Sequence, residues 1–426
     1  MKNVLIITYY WPPAGGPGVQ RWLKFVKYLR DFGIEPIIYA PENPTYPILD
    51  ESLNTEIPEG ITIIKQPIDE PYKIANKVSK GNASTISKGI IATKEKQSFT
   101  ERFLLFIRGN FFIPDARKNW IKPSVKYLSD YISEHSIDTI ITTGPPHSLH
   151  LIGLQLKNKL KVNWFADFRD PLTTIGYHKK LKLLPFARLK HKRLEKTVLQ
   201  SADEIIVTSY TTENQFKAIT KKPITVITNG YDHETVGAVE LDNRFTISHI
   251  GSLLSERNPE VLWNVLAHLS IENNTFQSFL QINLVGTVSK EVLLSLETHN
   301  LTQFLNFKGY VSHENAIEYQ RKSQVLLLVE IDSEATKCIV PGKLFEYMVS
   351  NRPIIAIGPE NSDVEQLISK TNTGHYFKYS EYKRLKETIL SHFEAFRKND
   401  LHSHAIGLQQ YSRIALTEKL AQRILK

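Results

Sequence analysis

The chain has 426 residues, 41% of them hydrophobic and 23% charged, with one cysteine and a formal net charge of +9. That length exceeds what one compact core covers, so two domains are expected, and the composition excludes a mostly disordered chain. The lone Cys338 has no intrachain disulfide partner, no apolar run approaches the ~18 residues of a membrane span, and the run Val4-Leu5-Ile6-Ile7 is cut short by Pro12-Pro13, so a cytoplasmic protein without a signal peptide is expected.

Short apolar strands alternate with amphipathic helices, the pattern of α/β domains with parallel sheets. Residues 4–9 are the expected first strand. The helix after it carries Val19, Trp22, Leu23, Val26 and Leu29 on one face and Arg21, Lys24, Lys27 and Arg30 elsewhere. Residues 34–40 form the second strand, and 79–98, rich in Ser, Lys, Thr and Gly, read as a mobile loop. Strands recur at 139–142, 162–166 and 204–208, which makes the first domain doubly wound. Between the last two, a helix over 186–200 belongs to a stretch (179–196) with eight Lys/Arg and one acid, Glu195. Such a helix either lies on anionic lipid or turns a solvated basic side away from the core, with Leu183, Ala187, Leu194 and Val198 near the other face. Residues 223–227 add a strand, and the interdomain connection falls within 230–243. A second α/β series follows, with strands at 245–250, 281–285, 325–329 and 354–357. The last helix repeats Ile414, Thr417, Leu420, Ala421 and Ile424 at helical spacing and needs a surface to cover.

The expected domains are therefore 1–235, 236–407 and a C-terminal helix, 408–426, packing back on the first domain. Residues 1–235 hold a net +10 and the remainder −1. The first half thus attracts an anionic partner: a phosphorylated acceptor, an acidic lipid surface or a nucleic acid. Two such domains facing one another make a cleft at the carboxyl ends of their strands, where open α/β sheets bind ligands.

Several loops at those ends carry polar chemistry. Gly15, Gly16 and Gly18 let backbone approach a phosphate or sugar at a helix start. Gly16-x-Gly18 is not completed as a dinucleotide fingerprint, because Arg21 stands at the third glycine position and the second strand ends in Tyr39-Ala40-Pro41 without an acid for ribose. Arg21 either holds an acceptor phosphate or faces water. Asp167, Arg169 and Asp170 leave an apolar strand and must pair with each other or serve a site; Asp167-x-x-Asp170 lacks the further ligands of a metal site. His147, in Gly144-Pro145-Pro146-His147-Ser148, also follows a strand directly.

In the second half, Gly251-Ser252 leads to Arg257, with Asn258 as the expected N-cap and Pro259 as first helical residue, so Arg257 stands where a diphosphate is clamped. Pro341-Gly342-Lys343-Leu344-Phe345-Glu346-Tyr347-Met348 joins an apolar run to a helix. A glycine turn exposes N–H groups and a positive dipole end to a diphosphate, Lys343 adds a cation, and Glu346 one turn on accepts from a sugar's vicinal hydroxyls. The octapeptide equally reads as a plain helix start with an exposed glutamate.

In their order these segments resemble the GT-B glycosyltransferases of family 4, in particular the bacterial branch that builds surface polysaccharides. The carriers are Gly15-Gly16-Pro17-Gly18; Ser201-Ala202-Asp203-Glu204-Ile205-Ile206-Val207 leading to Ser209; Val226-Ile227-Thr228-Asn229-Gly230-Tyr231-Asp232; Ile250-Gly251-Ser252; Phe307-Lys308-Gly309-Tyr310-Val311; and residues 341–348. The resemblance implies two Rossmann-like doubly wound domains facing across a cleft. It implies a glycosyltransferase of hexosyltransferase type that needs no cofactor and no metal and works with retention. The nucleoside-diphosphate sugar donor goes to the C-terminal domain and a glycan or lipid-linked acceptor to the N-terminal one.

Donor-binding residues are then Gly251, Ser252, Arg257, Pro341, Gly342, Lys343, Leu344 and Glu346, with Glu346 on the ribose and Arg257 on the diphosphate. Ser252 replaces a family arginine and Cys338 a family glutamate. Acceptor-binding residues are Gly15, Gly16, Gly18, Arg21 and Arg169. Where many members carry a His at the first-domain strand end, this chain has the 167–170 loop, so Asp167, Asp170 and His147 are the catalytic candidates. The enzyme is expected in the cytoplasm with peripheral contact to the inner face of an anionic membrane. Two other readings stay open: a nucleotide-sugar 2-epimerase on the same architecture, and a non-catalytic anion-binding protein using the basic half. No recognised nucleic-acid module is present, and nucleic acid is not an expected partner.

Overall fold

The structure, a computed structural model, describes residues 1–70, 99–175, 181–232 and 239–426. The expected loop at 79–98, Lys179 and Lys180 of the basic stretch, and part of the expected interdomain connection lie outside the described residues. The chain forms two units, 1–229 with 413–426, and 230–412.

In the first unit, β1 (Lys2–Ile7), β2 (Ile34–Pro41), β3 (Thr62–Gln66), β4 (Thr139–Gly144), β5 (Asn163–Phe168), β6 (Glu204–Val207) and β7 (Ile224–Val226) make one parallel sheet in the order β3-β2-β1-β4-β5-β6-β7. Around it lie α1 (Pro17–Leu29), α2 (Phe99–Phe111), α3 (Ile121–Glu134), α4 (Ser148–Lys159), α5 (Pro185–Ser201) and α6 (Tyr210–Lys217). Successive strand residues point to opposite faces. Leu5 and Ile7 therefore join a core with Trp120, Leu128, Leu149 and Ile152, whereas Val4 and Ile6 join another with Val19, Trp22 and Leu23. Both faces being covered is why these strands read as continuous apolar runs.

The second unit repeats the plan. Its strands are β8 (Phe245–Ile250), β9 (Leu280–Val285), β10 (Leu305–Gly309), β11 (Val325–Val329), β12 (Ile354–Gly358) and β13 (Gly374–Lys378), in the parallel order β10-β9-β8-β11-β12-β13. Its helices are α7 (Glu260–Glu272), α8 (Asn274–Phe279), α9 (Lys290–Thr298), α10 (His313–Lys322), α11 (Lys343–Met348), α12 (Asp363–Thr371) and α13 (Tyr382–Arg397). Ile247 and Leu327 face one core with Trp263, Leu266 and Phe393; Ile250, Leu326 and Leu328 face the other with Phe345, Tyr347 and Val364.

The final helix, α14 (Arg413–Ile424), is in the first unit. Leu416, Leu420, Ala421 and Ile424 share a core with Val19, Trp22 and Val26, and Arg423 Nε pairs with Glu204 Oε1 of β6 at 2.6 Å. The passages between units come at 229/230 and 412/413, a few residues from the expected 235/236 and 407/408. Tyr231 and Ser412 form a parallel bridge inside the second unit, which anchors both passages.

Candidate functional site

In the second sheet the strand order reverses its direction of growth between β8 and β11, the position where open α/β sheets take ligands beyond the strands' carboxyl ends. Gly251 follows β8 at φ +110, and a Cβ there would lie 3.4 Å from Lys343 Nζ. Gly286 follows β9 at φ +118, and its Cβ would stand 2.6 Å from the Gly251 oxygen. Side chains are excluded from both positions, and bare backbone lines that end of the sheet.

Lys343 reaches back from the start of α11: Nζ donates to the Ile250 carbonyl at 2.9 Å and lies 3.0 Å from His249 Nε2. Burial, and then the neighbouring Arg257 cation, push its amine down to about 7. Arg257 ends a short 3-10 turn, Ser255–Arg257, and its charge is felt by Lys343, His249 and Glu330. Its buried Nε has no hydrogen-bond partner among the described residues. Neither Arg257 nor Lys343 has a carboxylate within ion-pair distance among those residues. Glu346, whose charge supports that of Lys343, accepts from Gln320 Nε2 through Oε2 at 2.8 Å, and its Oε1 is 4.0 Å from His313 Nε2. Gly251, Arg257, Lys343 and Glu346 are thus gathered at one end of the second sheet, with Ser252 exposed beside them.

Three expectations for this segment need correction. Helix α11 has only six residues, and the Leu344 and Phe345 N–H groups already donate to Pro341 O at 3.0 Å and Gly342 O at 3.2 Å. The positive charge at this turn is therefore the Lys343 side chain rather than a helix dipole. Leu344 is fully buried in the core and presents no side chain to a ligand. Helix α7 starts at Glu260 with Pro259 as its cap residue, because Asn258 Oδ1 accepts from Trp263 Nε1 at 2.7 Å instead of capping. Gly342 has an ordinary helical φ of −56, yet a Cβ there would meet nothing within 4 Å, so open space adjoins it; Pro341 is half-buried.

Sequence reasoning missed His249 and Glu330. His249 Nδ1 lies 3.1 Å from the Leu327 carbonyl, and burial holds its ring well below the usual imidazole range. Glu330, just past β11, accepts from Ser362 Oγ at 2.8 Å and Tyr376 Oη at 2.7 Å; burial pushes it up to about 7. Both are polar residues at the carboxyl end of an apolar strand, the same signal that singled out Asp167.

The first unit answers differently. Asp167 accepts from Arg21 Nη2 at 3.0 Å, Trp22 Nε1 at 2.8 Å and Thr143 Oγ1 at 2.8 Å, while Arg21 Nη1 donates to Thr228 O at 2.9 Å. The two side chains are 0% and 1% exposed. The geometry therefore assigns Arg21 and Asp167 to the fold, correcting the acceptor-phosphate reading of one and the catalytic reading of the other. The clamp that fixes this region joins Asp167 to Arg21 rather than to Arg169.

Arg169 donates to the Pro145 carbonyl and lies over the Tyr10 ring, and a Cβ on Gly18 would strike its Nη1 at 2.6 Å. Gly16 is at φ +91, where α1 begins. A Cβ on Gly15 would stand 2.8 Å from Ile48 Cγ2, so Gly15 serves close packing. His147 is buried at the start of α4, 5.8 Å from the Phe168 ring centroid. Asp170 is half-buried, and burial raises its carboxyl. Gly18, in the first turn of α1, and His147, Arg169 and Asp170, on the segments following β4 and β5, lie around the switch point of the first sheet.

Helix α5 buries Ala187, His191, Glu195 and Val198 and leaves Leu194 half-buried. Glu195, the one acid of the basic stretch, is turned inward, accepting from Leu172 N at 2.8 Å and Thr173 N at 3.1 Å. Outside stand Arg188, Lys190, Lys192 and Arg193 with Leu184, Phe186 and Leu189. Among the described residues no helix is long and apolar enough to cross a membrane, and no group of three or more His, Cys, Asp or Glu side chains could hold a metal.

Residues 90–235 match the profile of Glycosyltransferase Family 4. No curated relative is found by sequence. Among solved structures, the chain is similar to a sucrose-phosphate synthase from Thermosynechococcus elongatus at 14% identity, covering 100% of this chain and 98% of that one with a TM-score of 0.61. It is similar to the lipopolysaccharide outer core galactosyltransferase WaaB at 13% identity, 100% and 99% coverage and a TM-score of 0.58. It is also similar to a protein of Listeria monocytogenes assigned as a UDP-N-acetylglucosamine 2-epimerase, at 12% identity, 100% and 95% coverage and a TM-score of 0.54. The fold is GT-B, two Rossmann-like parallel-sheet units.

Proposed function

We propose that the chain is a glycosyltransferase, a reading supported by the Glycosyltransferase Family 4 match at residues 90–235, and that it moves a sugar, with retention, from a nucleoside-diphosphate sugar to a glycan or lipid-linked acceptor in surface polysaccharide synthesis. The observation that carries the donor half is the pair of basic side chains, Arg257 and Lys343, converging beside bare glycine backbone with no carboxylate within ion-pair distance among the described residues. A diphosphate supplies that missing charge. Glu346, tethered by Gln320 through one oxygen, offers the other to a ribose diol.

The reaction needs little covalent help from the protein. The glycosidic bond to the diphosphate breaks, its electron pair leaves with the phosphate oxygen, and Arg257 and Lys343 stabilise the growing negative charge. The acceptor hydroxyl forms the new bond on the face from which the diphosphate departs, and its proton passes to the leaving phosphate. Holding the acceptor hydroxyl against that same face of the bound donor supplies a large share of the acceleration. For the acceptor side, His147, Arg169 and Asp170 with the Gly16–Gly18 turn are our candidates. Asp170 is the group to test as a catalytic residue, since burial already disfavours its charge.

The lipopolysaccharide galactosyltransferase among the similar structures supports the surface-polysaccharide reading. Exposed Phe186, Leu184 and Leu189 amid Arg188, Lys190 and Lys192 support peripheral contact with an anionic bilayer at the cytoplasmic face. Incubating the enzyme with a panel of nucleotide sugars, with and without membrane extract, tests the reading: diphosphate release that requires the extract is expected. Free epimerised sugar nucleotide in the donor-only reaction would favour the 2-epimerase reading, which the Listeria likeness keeps in view. Co-sedimentation with phosphatidylglycerol vesicles but not phosphatidylcholine vesicles is the expected membrane result.

A further inference from the structure

The hydrogen-bond balance around Lys343 has a consequence for how a donor binds. His249 Nδ1 faces the Leu327 carbonyl at 3.1 Å, and a carbonyl only accepts, so the ring proton sits on Nδ1. Nε2 then presents a lone pair to Lys343 Nζ at 3.0 Å. The alternative, a proton on Nε2 directed to the Ser252 carbonyl at 3.4 Å, would set the Nδ1 lone pair against Leu327 O and confront the lysine with a donor. With Ile250 O at 2.9 Å, Lys343 has two protein acceptors, the number a neutral amine's two hydrogens need. An ammonium gains a third hydrogen with no acceptor among the described residues.

We propose that His249 is the positioning residue for Lys343 and that a nucleoside diphosphate takes up one proton at Lys343 as it binds. The inference rests on the donor reading given above and deepens it. The charged and titratable groups around the amine are His249 on β8, Arg257 on the 255–257 turn, and Glu346 and Tyr347 on α11, with His313 and Gln320 of α10 reaching it through Glu346. Arg257 repels a second positive charge, and Glu346 attracts it less strongly. An arriving diphosphate reverses that balance and accepts the third hydrogen. The Lys343 amine, near 7 before a diphosphate arrives, is then pulled upward on binding. Below neutrality Lys343 is already charged and no proton is taken up; above it each binding event draws one from solvent, and affinity falls as pH rises.

The test is isothermal titration calorimetry of the full chain with uridine, adenosine and guanosine diphosphates at pH 8, in buffers of different ionisation enthalpy. At that pH the terminal phosphate, with its pKa of about 6, is already ionised and contributes little. We expect uptake of about half a proton or more per diphosphate, and affinity falling by up to about tenfold per pH unit between roughly pH 7 and 9. Lys343→Arg, always charged, should bind with no proton uptake and a flat profile. His249→Leu should move the fall in affinity to lower pH, because the ammonium loses an acceptor, and His249→Gln, which keeps one, should restore it. A merely structural role for His249 would weaken binding equally at every pH and overturn its positioning role. If His249→Leu does not fold, the comparison of the native chain with Lys343→Arg decides the proton linkage, and His249→Gln decides the position. Binding without proton uptake refutes this inference alone, whereas failure of every diphosphate to bind removes the donor reading and this inference with it.

Discussion

Replacing Asp167 by alanine separates a residue that builds the first unit from one that performs chemistry. The carboxylate has no exposed surface and takes bonds from Arg21, Trp22 and Thr143 at 2.8–3.0 Å. Removing it leaves the Arg21 guanidinium, 1% exposed, with the Thr228 carbonyl as its one remaining partner in that set. Breaking a buried pair from one side costs about 3–5 kcal/mol, since the surviving charge keeps its desolvation penalty. For a unit of about 150–250 residues each kcal/mol moves the melting temperature by about 2–4 °C, so a drop of about 6–20 °C is expected. Scanning calorimetry reads it, with nucleoside-diphosphate binding as the control that the second unit is intact. Arg21→Met combined with Asp167→Leu should recover much of the loss, because apolar replacement of both partners is close to neutral. An Asp167→Ala protein that melts with the native chain while its turnover collapses would refute the reasoning and return Asp167 to the catalytic machinery.

Arg257→Ala should lower turnover about a hundredfold, the usual cost of one aimed electrostatic donor; near-normal turnover at saturating donor would remove Arg257 from the mechanism. Glu346→Ala should weaken nucleoside-diphosphate binding measured by calorimetry, and unchanged affinity would reject its ribose role. Gly358→Ala should destabilise the second unit by about 1–3 kcal/mol, because the new Cβ would stand 2.3 Å from Tyr376 Oη and 2.7 Å from Glu330 Oε2; a normal melting temperature would mean that this network yields freely.

How far the fold was legible follows from where each strand lies in its sheet. The central strands β1, β4, β5, β8 and β11 are buried on both faces and announce themselves as apolar runs. Three strands escaped, β3 (Thr-Ile-Ile-Lys-Gln), β10 (Leu-Asn-Phe-Lys-Gly) and β13 (Gly-His-Tyr-Phe-Lys), and all three are sheet edges. An edge strand buries less and mixes polar residues into its pattern, so periodicity fades there. Helix α14 was readable because its apolar stripe had no other use, although the stripe could not say that Trp22 and Val26 would meet it.

The site was harder, for a reason the two units share. Asp167, Glu330 and His249 stand at strand carboxyl ends, and Lys343 reaches such an end from the start of α11; a polar group there is costly unless partnered. Whether such a group belongs to the fold or to a ligand depends on how many partners face it. Those partners come from far along the chain: Arg21 and Trp22 lie 146 and 145 residues from Asp167, and His249 lies 94 residues from Lys343. Asp167 has its donors supplied from α1 and β4, so the fold consumes it. Lys343 in its charged form has one donor more than the described residues have acceptors for, and Arg257 keeps a buried N–H with none among them. A surplus of donors at the carboxyl end of a sheet, with no carboxylate within ion-pair distance among the described residues, is what the proposed diphosphate site rests on.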